Sequence, residues 1–389
     1  MSEWKEYRFS DFVNINPSVK IPKKQLVSFV EMKDLTDGQR FCKPSQERFL
    51  SGGSRFENGD TLFARITPCL ENGKICQVKG LKNGIGFGST EFHVFRGKSI
   101  ISDSDFVYYL CRWSDVRDHA EKNFDGTSGR QRVPKQAFDD LYLNLPELSE
   151  QKSIASILSS LDDKIDLLHR QNATLEKMAE TLFRQWFVEE AKEEWEEVEL
   201  EKLIDVVIDN RGKTPPTVDF PTDYPLIEVN ALNSNSCLVD YSVIRKYVNK
   251  ETYDNWFRKH LKVNDIIIST VGTIGVFSIH LVDKGCIAQN LVGLRSNSIS
   301  SYFIYNFFKT NVETLINLDI GGVQPSIKVP HLLGLIIKYP PYELLRKYDE
   351  SVEIYFNKIA KNQTQIRTLT ALRDTLLPKL MSGEVRVEN

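Results

Sequence analysis

Few residues of this chain could make or break bonds, and their spacing is wrong for it. Tyr339-Pro-Pro-Tyr342 has the outline of the Asn/Asp-Pro-Pro-Tyr loop that holds an amine for methyl transfer. The first position of that loop must accept hydrogen bonds from the amine, and a tyrosine cannot replace an amide or carboxylate there. Gly84-Ile-Gly-Phe-Gly88 is glycine-rich, but no helical pattern follows it to cradle a nucleotide. Glu31-Met-Lys33 has the Glu-x-Lys spacing of nucleases, without an upstream Asp beside it. The six histidines are dispersed, and Cys42, Cys69, Cys76, Cys111, Cys237 and Cys286 form no CxxC pair. Neither set has zinc-ligand spacing, so the cysteines are read as reduced thiols in or near cores. The sequence therefore offers no catalytic constellation and no metal site.

The chain states itself twice. Trp4, Glu6 and Phe12 recur as Trp195, Glu197 and Leu203, at an offset of 191. Asn58-Gly-Asp60-Thr-Leu-Phe-Ala64 recurs as Val263-Asn-Asp265-Ile-Ile-Ile-Ser269. Ser89-Thr-Glu-Phe-His-Val-Phe-Arg96 matches Ala288-Gln-Asn-Leu-Val-Gly-Leu-Arg295, and Gly126–Pro134 echoes Gly321–Pro330 through a shared Val-Pro ending. From Pro146 and Pro340 onward the offset locks at 194. This period is too long for a solenoid, so it marks a duplicated domain with a trailing helix. Short apolar runs bracketed by Gly and Asn make each domain a mixture of strands and hairpins. Helical stretches are expected over Asp105–Ala120 and Ser300–Leu315.

The trailing segments follow a different period. Ile154, Leu158, Leu161, Ile165, Leu168, Asn172, Leu175, Ala179, Leu182 and Trp186 alternate steps of four and three. Tyr348, Val352, Tyr355, Ile359, Asn362, Ile366, Leu369, Arg373, Leu376 and Leu380 fall on the same grid. Heptads sustained this long call for a helix partner, and each helix spans about 50 Å. A two-fold near residue 170 pairs the helices antiparallel. It sets Asn172 against Asn362 and Ala179 against Tyr355, with Leu161 against Arg373 as the one poor match. The expected organisation is domain 1 over 1–149, a spacer helix over 150–190, domain 2 over 191–341 and a second spacer helix over 342–389. The fold class is α+β: two mixed domains joined by a two-helix antiparallel coiled coil, with an internal pseudo-two-fold repeat.

Bulk properties exclude little else. The composition, 41% hydrophobic and 26% charged, is that of a globular protein. No apolar run reaches the length of a membrane span, and the polar N-terminus does not read as a signal peptide, so a cytoplasmic location is expected. Net charge is −3, but Glu189–Glu201 holds eight Glu and one Lys, which leaves +4 for the rest. The balance neither requires nor forbids a nucleic-acid partner.

Several segments stand out together: Leu145-Pro-Glu-Leu-Ser-Glu-Gln-Lys-Ser-Ile154 leading into Leu161-Asp-Asp-Lys-Ile165, the C-terminal Thr375-Leu-Leu-Pro-Lys-Leu-Met-Ser-Gly-Glu-Val385, and Arg211-Gly-Lys-Thr-Pro215. Gly126-Thr-Ser-Gly129 with Arg130 and Arg132 joins them. With the two-copy layout, these segments resemble one family, the specificity subunits of type I restriction–modification systems (HsdS). The second copy departs at Tyr339-Pro-Pro-Tyr-Glu-Leu-Leu345, which lacks the Glu150-Gln151 pair. The resemblance implies a non-catalytic subunit with two target-recognition domains, each reading half of a split sequence in double-stranded DNA. It implies two modification (methyltransferase) subunits as partners and, in the full complex, two restriction subunits. S-adenosylmethionine, ATP and magnesium would then belong to the partners, with no cofactor on this chain.

Reading bases needs forked donors or amides at loop tips: Arg for guanine, Asn or Gln for adenine. The candidates are Arg65, Thr67, Arg130 and Arg132 in the first copy, and Arg211, Lys213, Gln289, Asn290, Gln324 and Lys328 in the second. Gly126, Gly129, Gly321 and Gly322 could bring backbone amides close to phosphates. Because Ser89-Thr-Glu91 and Ala288-Gln-Asn290 differ, the two half-sites should differ. Two other classes compete: a coiled-coil scaffold with two protein-binding heads, and a methyltransferase or nuclease active alone. A scaffold would show no salt-dependent binding to a particular duplex. An autonomous methyltransferase would transfer methyl groups without a partner.

Overall fold

The protein is described from a computed structural model, which covers residues 3–22, 24–127, 130–210, 212, 214–232 and 236–387. Gly129, Arg211 and Lys213 lie outside the described residues. The chain divides into two compact units, Met1–Leu167 with Ile366–Asn389, and Leu168–Gln365.

In the first unit a five-stranded sheet runs Val13–Ile15, Phe92–Gly97, Thr61–Ala64, Ile75–Val78, Phe41–Cys42. A four-stranded sheet is formed by Gln46–Phe49, Leu26–Val30, Ile85–Gly88 and Ser54–Glu57. The second unit repeats the order of the first four strands as Val206–Ile208, Leu291–Arg295, Ile266–Ser269, Phe277–Ile279. The central strands are rich in β-branched and aromatic residues, and Thr61–Ala64 and Ile266–Ser269 are buried along their whole length. A short ribbon closes each unit: Lys5 pairs with Leu145 in one, Glu196 with Tyr339 in the other. These pairs reproduce the offsets of 191 and 194 in register.

The repeated Asp-to-Arg spacing has a structural reason. Asp60 accepts from the Arg96 Nε (2.6 Å) and Nη2 (2.7 Å) and from the Glu57 N–H (2.7 Å). Asp265 accepts from the Arg295 Nε (2.7 Å) and Nη2 (2.6 Å) and from the Lys262 N–H (2.7 Å). Both carboxylates are 1% exposed. Each turn ahead of the Asp carries a positive φ, at Gly59 (91°) and Asn264 (72°), a conformation those residue types tolerate.

Neither expected domain helix is continuous. The first breaks into Ser104–Arg112 and Ser114–Lys122 because Trp113 is extended (ψ 139°). The second breaks at Asn311 into Ser301–Thr310 and Val312–Asn317. The Val-Pro echo is also not an equivalence. Val133 donates to the Arg65 carbonyl as Ile327 donates to that of Thr270, so the second loop is aligned two residues earlier than the shared dipeptide implies.

The long helices are Leu148–Arg184 and Tyr342–Met381. In the second unit Asn362 Nδ2 donates to Asn172 Oδ1 at 2.8 Å, and both residues are buried. Trp186 meets Tyr348 in the same unit, so the helices run antiparallel there, as the paired asparagines require. Ala179 is fully buried and Tyr355 is half-buried in the same core. In the first unit Arg373 is buried. It pairs with Asp162 at 2.8 Å and donates to the Gly38 carbonyl at 2.8 Å. The buried line also leaves the strict heptad grid. Phe183, Phe187, Phe356 and Leu377 are buried, where Leu182, Trp186, Tyr355 and Leu376 were expected to face inward and are only half-buried. Phe183 and Phe187 pack into the core around Phe303 and Tyr348; a straight helix drifts about 20° per heptad, and Phe187 lies in a π turn, Gln185–Glu189, that follows the first helix.

Two outcomes follow. Asp265→Ala leaves the Arg295 guanidinium without its buried partner and should lower unfolding free energy by about 3 kcal/mol. Chemical denaturation gives the loss, and hydrogen exchange should place it at Leu291–Arg295; protection unchanged in that strand would contradict the role assigned to the pair. Asn172→Leu alone should destabilise by roughly 1–3 kcal/mol, because it leaves the Asn362 amide buried and unpaired. The double change to Leu at 172 and 362 should recover most of that. A double variant less stable than the single would refute it.

Candidate nucleic-acid interface

Both units build the same loop lattice on their central strands. In the first, the Arg65 N–H donates to Glu91 O (3.0 Å), Thr67 N–H to Gln131 O (3.0 Å) and Val133 N–H to Arg65 O (2.8 Å). In the second, Thr270 donates to Asn290 O (2.9 Å), Gly272 to Pro325 O (2.9 Å) and Ile327 to Thr270 O (2.8 Å). Antiparallel bridges join Ile66 to Arg132 and Val271 to Ser326. The backbone therefore matches Glu91 with Asn290, Thr90 with Gln289, and Arg132 with Ser326. Loops 89–91 and 125–133 meet on this frame, as do loops 288–290 and 319–327. Among the candidates, Gly126, Arg130, Arg132, Gln289, Asn290, Gly321, Gly322 and Gln324 lie on these loops, and Arg65 and Thr67 bond to them through the backbone.

The side chains on it differ between the copies. Arg132 holds Glu91 by Nε (3.0 and 2.9 Å to the two carboxylate oxygens) and Nη2 (2.7 Å), and Nη1 donates to Arg130 O (3.2 Å). Glu91 raises the Arg132 guanidinium above its ordinary pKa. Arg65 is half-buried and its Nε has no hydrogen-bond partner among the described residues; the same holds for the buried Thr67 Oγ1. Arg130 and Gly126 are exposed.

In the second unit Gln289, Asn290 and Gln324 line one open cavity of about 780 Å³, with Thr214, Glu228, Lys246 and Gly272 among its other walls. Sequence reasoning missed Glu228 and Lys246, which pair at 2.9 Å, and Thr214. A methyl group at Gly272 would lie 3.3 Å from Gln324 Nε2, which places that amide over the loop. Lys328, Gly321 and Gly322 do not line the cavity. Lys328 is exposed and precedes the helix Val329–Leu333. Gly321 serves loop closure: a Cβ there would sit 1.8 Å from Gln324 O. Asp319 ties the same loop by accepting the Gly321 and Ser326 N–H groups, each at 2.8 Å, which lowers its pKa.

The family described as type I restriction modification DNA specificity domain matches residues 1–177 and again 192–371. The chain belongs to that family. It is similar to the type I restriction enzyme MjaIX specificity subunit of Methanocaldococcus jannaschii, with 26% identity over 73% of this chain and 70% of the relative. It is also similar to the HindI specificity subunit of Haemophilus influenzae, with 23% identity over 99% of this chain and all of the relative. Among solved structures, the type I restriction–modification S subunit from M. genitalium shares the fold, with a TM-score of 0.55 and 15% identity over 97% of this chain and 96% of that one. Each of the two family matches contains one of the loop lattices. Among the described residues no group of three or more His, Cys, Asp or Glu is placed to hold a metal, and no helix is long and apolar enough to cross a membrane.

One residue under the first lattice is sensitive to pH. His93 is buried, its Nε2 donates to Val133 O at 2.8 Å, and Asn16 Nδ2 lies 3.4 Å from Nδ1. Burial, with Arg65 and Lys135 nearby, pushes its pKa from 6.5 down to about 4. The native imidazole stays neutral while the unfolded one protonates, so stability is lost as pH falls from about 6.5 towards 4. His93→Gln should therefore give a shallower loss of urea midpoint between pH 7 and 4.5 than the parent chain. Parallel profiles would show that His93 carries none of it.

Proposed function

We propose that this chain is the sequence-reading subunit of a type I restriction–modification assembly. Each unit reads one half of an asymmetric, bipartite site in double-stranded DNA. The observation that carries this reading is the loop lattice, built twice with different side chains at matched positions. A repeated frame with unlike tips suits two half-sites that differ in sequence.

The loops supply the contacting groups: Arg65, Thr67, Gly126, Gly129, Arg130 and Arg132 on one side, and Arg211, Lys213, Gln289, Asn290, Gly321, Gly322, Gln324 and Lys328 on the other. The chain carries no catalytic residue of its own. Its partners are two modification subunits and, in the full complex, two restriction subunits, and these hold S-adenosylmethionine, ATP and magnesium in the cytoplasm. The long helices act as an antiparallel coiled-coil spacer with Asn172 and Asn362 as its register mark. A stiff spacer fixes the separation of half-sites, which on one face of B-DNA recur about every 34 Å; a flexible linker could not. The same helical surface docks the modification subunits. The paired asparagines and the length of both helices support this role.

Exchange of residues 195–335 for the corresponding part of another family member tests the reading. Methylation mapped in cells that carry the hybrid with its modification subunits should show one half of the target changed and the other retained. A change in both halves, or in neither, would overturn modular recognition.

A further inference from the structure

The matched positions of the two lattices carry different recognition chemistry. From this we infer that the first unit reads a guanine at the position where the second reads an adenine, with Glu91 as the residue that positions the reading arginine. The inference rests on the DNA-reading role proposed above and goes on to assign bases to it.

Arg132 has five N–H donors. Glu91 takes the Nε donor and one Nη2 donor, and Arg130 O takes one Nη1 donor. One donor remains on each terminal nitrogen. That pair matches guanine O6 and N7, the acceptors a forked cation reads in the major groove. The Arg132 side chain is 42% exposed and that of Glu91 23%, so the fork is available while its support is sheltered. The carboxylate fixes the plane of a side chain that would otherwise lose several rotamers on binding.

In the second unit the backbone puts Asn290 where Glu91 stands and Ser326 where Arg132 stands. The ion pair is gone, and no cationic fork replaces it among the described residues lining the cavity. Lys246 is held by Glu228. The groups presented are the amides of Gln289, Asn290 and Gln324, for which no side-chain hydrogen bond is made within the described residues. A carboxamide offers one donor and one acceptor side by side, the complement of adenine N7 and N6.

Selection of duplexes from a randomised library by the full-length chain tests the assignment. The parent should enrich a guanine in one half-site and an adenine in the other. Arg132→Ala and Arg132→Lys should each relax the guanine preference roughly tenfold or more, and Glu91→Ala should relax it in the same direction, with the adenine half untouched. Asn290→Ala with Gln324→Ala should relax the adenine alone. The reciprocal transplant, Asn290→Glu with Ser326→Arg, should move the second half from adenine towards guanine in a chain whose first lattice is intact. Uniform weakening across all sequences on loss of Arg132 would mean a phosphate contact and overturn the assignment. So would relaxation at a base other than guanine. If the parent enriches no sequence at all, the recognition role itself fails, which is a distinct result from selection that ignores these residues.

Discussion

A buried carboxylate gripping a guanidinium across the central strands is the constraint on which each unit depends. Asp60 holds Arg96, and Asp265 holds Arg295, through two hydrogen bonds apiece, and each Asp also caps the turn that leads into its strand. Such a pair adds little net stability, because both charges must leave water. Its value lies in specification. A slip of one residue between these strands would turn every side chain to the opposite face and leave a buried carboxylate without its guanidinium. Only one register satisfies them, and that register brings Arg65 beside Glu91 and Thr270 beside Asn290. The loops of both lattices inherit their geometry from it.

With the frame fixed this firmly, the loop tips are free to differ. The backbone bonds of the lattice use only N–H and carbonyl groups, so nothing in the frame depends on whether Glu or Asn stands at the matched position. The side chains can then be chosen for what they contact. This division between a specified frame and open tips is the usual condition for recognition carried on loops. It also explains why the first unit clamps its loop with His93 to Val133 O while the second, with Val292 at the matched position, ties its own through Asp319.

Much of this was legible in the sequence, and the failures have physical causes. The duplication, the central strands and the paired asparagines were readable because each leaves a signal at fixed spacing. The Asp162–Arg373 pair was not, since Asp162 stands one residue off the apolar grid and looks like a solvated charge until its partner is in place. Phe183 was passed over for Leu182 because a strict seven-residue grid ignores the drift of a straight helix. The breaks at Trp113 and Asn311 leave no Gly or Pro to mark them. Arg132 was named for its forked donors, but nothing in the sequence shows that Glu91 holds it, because the contact joins residues 41 positions apart. The shared Val-Pro dipeptide misled for the opposite reason: identity of two residues outweighed the register of the strand before them.

The long helices obey the same logic as the strands. Apolar heptads alone accept several alignments at similar cost, since leucine packs against leucine in each. The polar residues break that degeneracy. Moving one helix by a turn within the second unit would part Asn172 from Asn362 and bury both amides against hydrocarbon, at about 1–3 kcal/mol each. In the first unit the same slip would part Asp162 from Arg373, whose side chains are 3% and 4% exposed, and breaking a buried ion pair costs more still. Asn362 Oδ1 has no hydrogen-bond partner among the described residues, so the asparagine pair is not an optimum for stability. What the pair supplies is a single alignment of the two helices within the second unit.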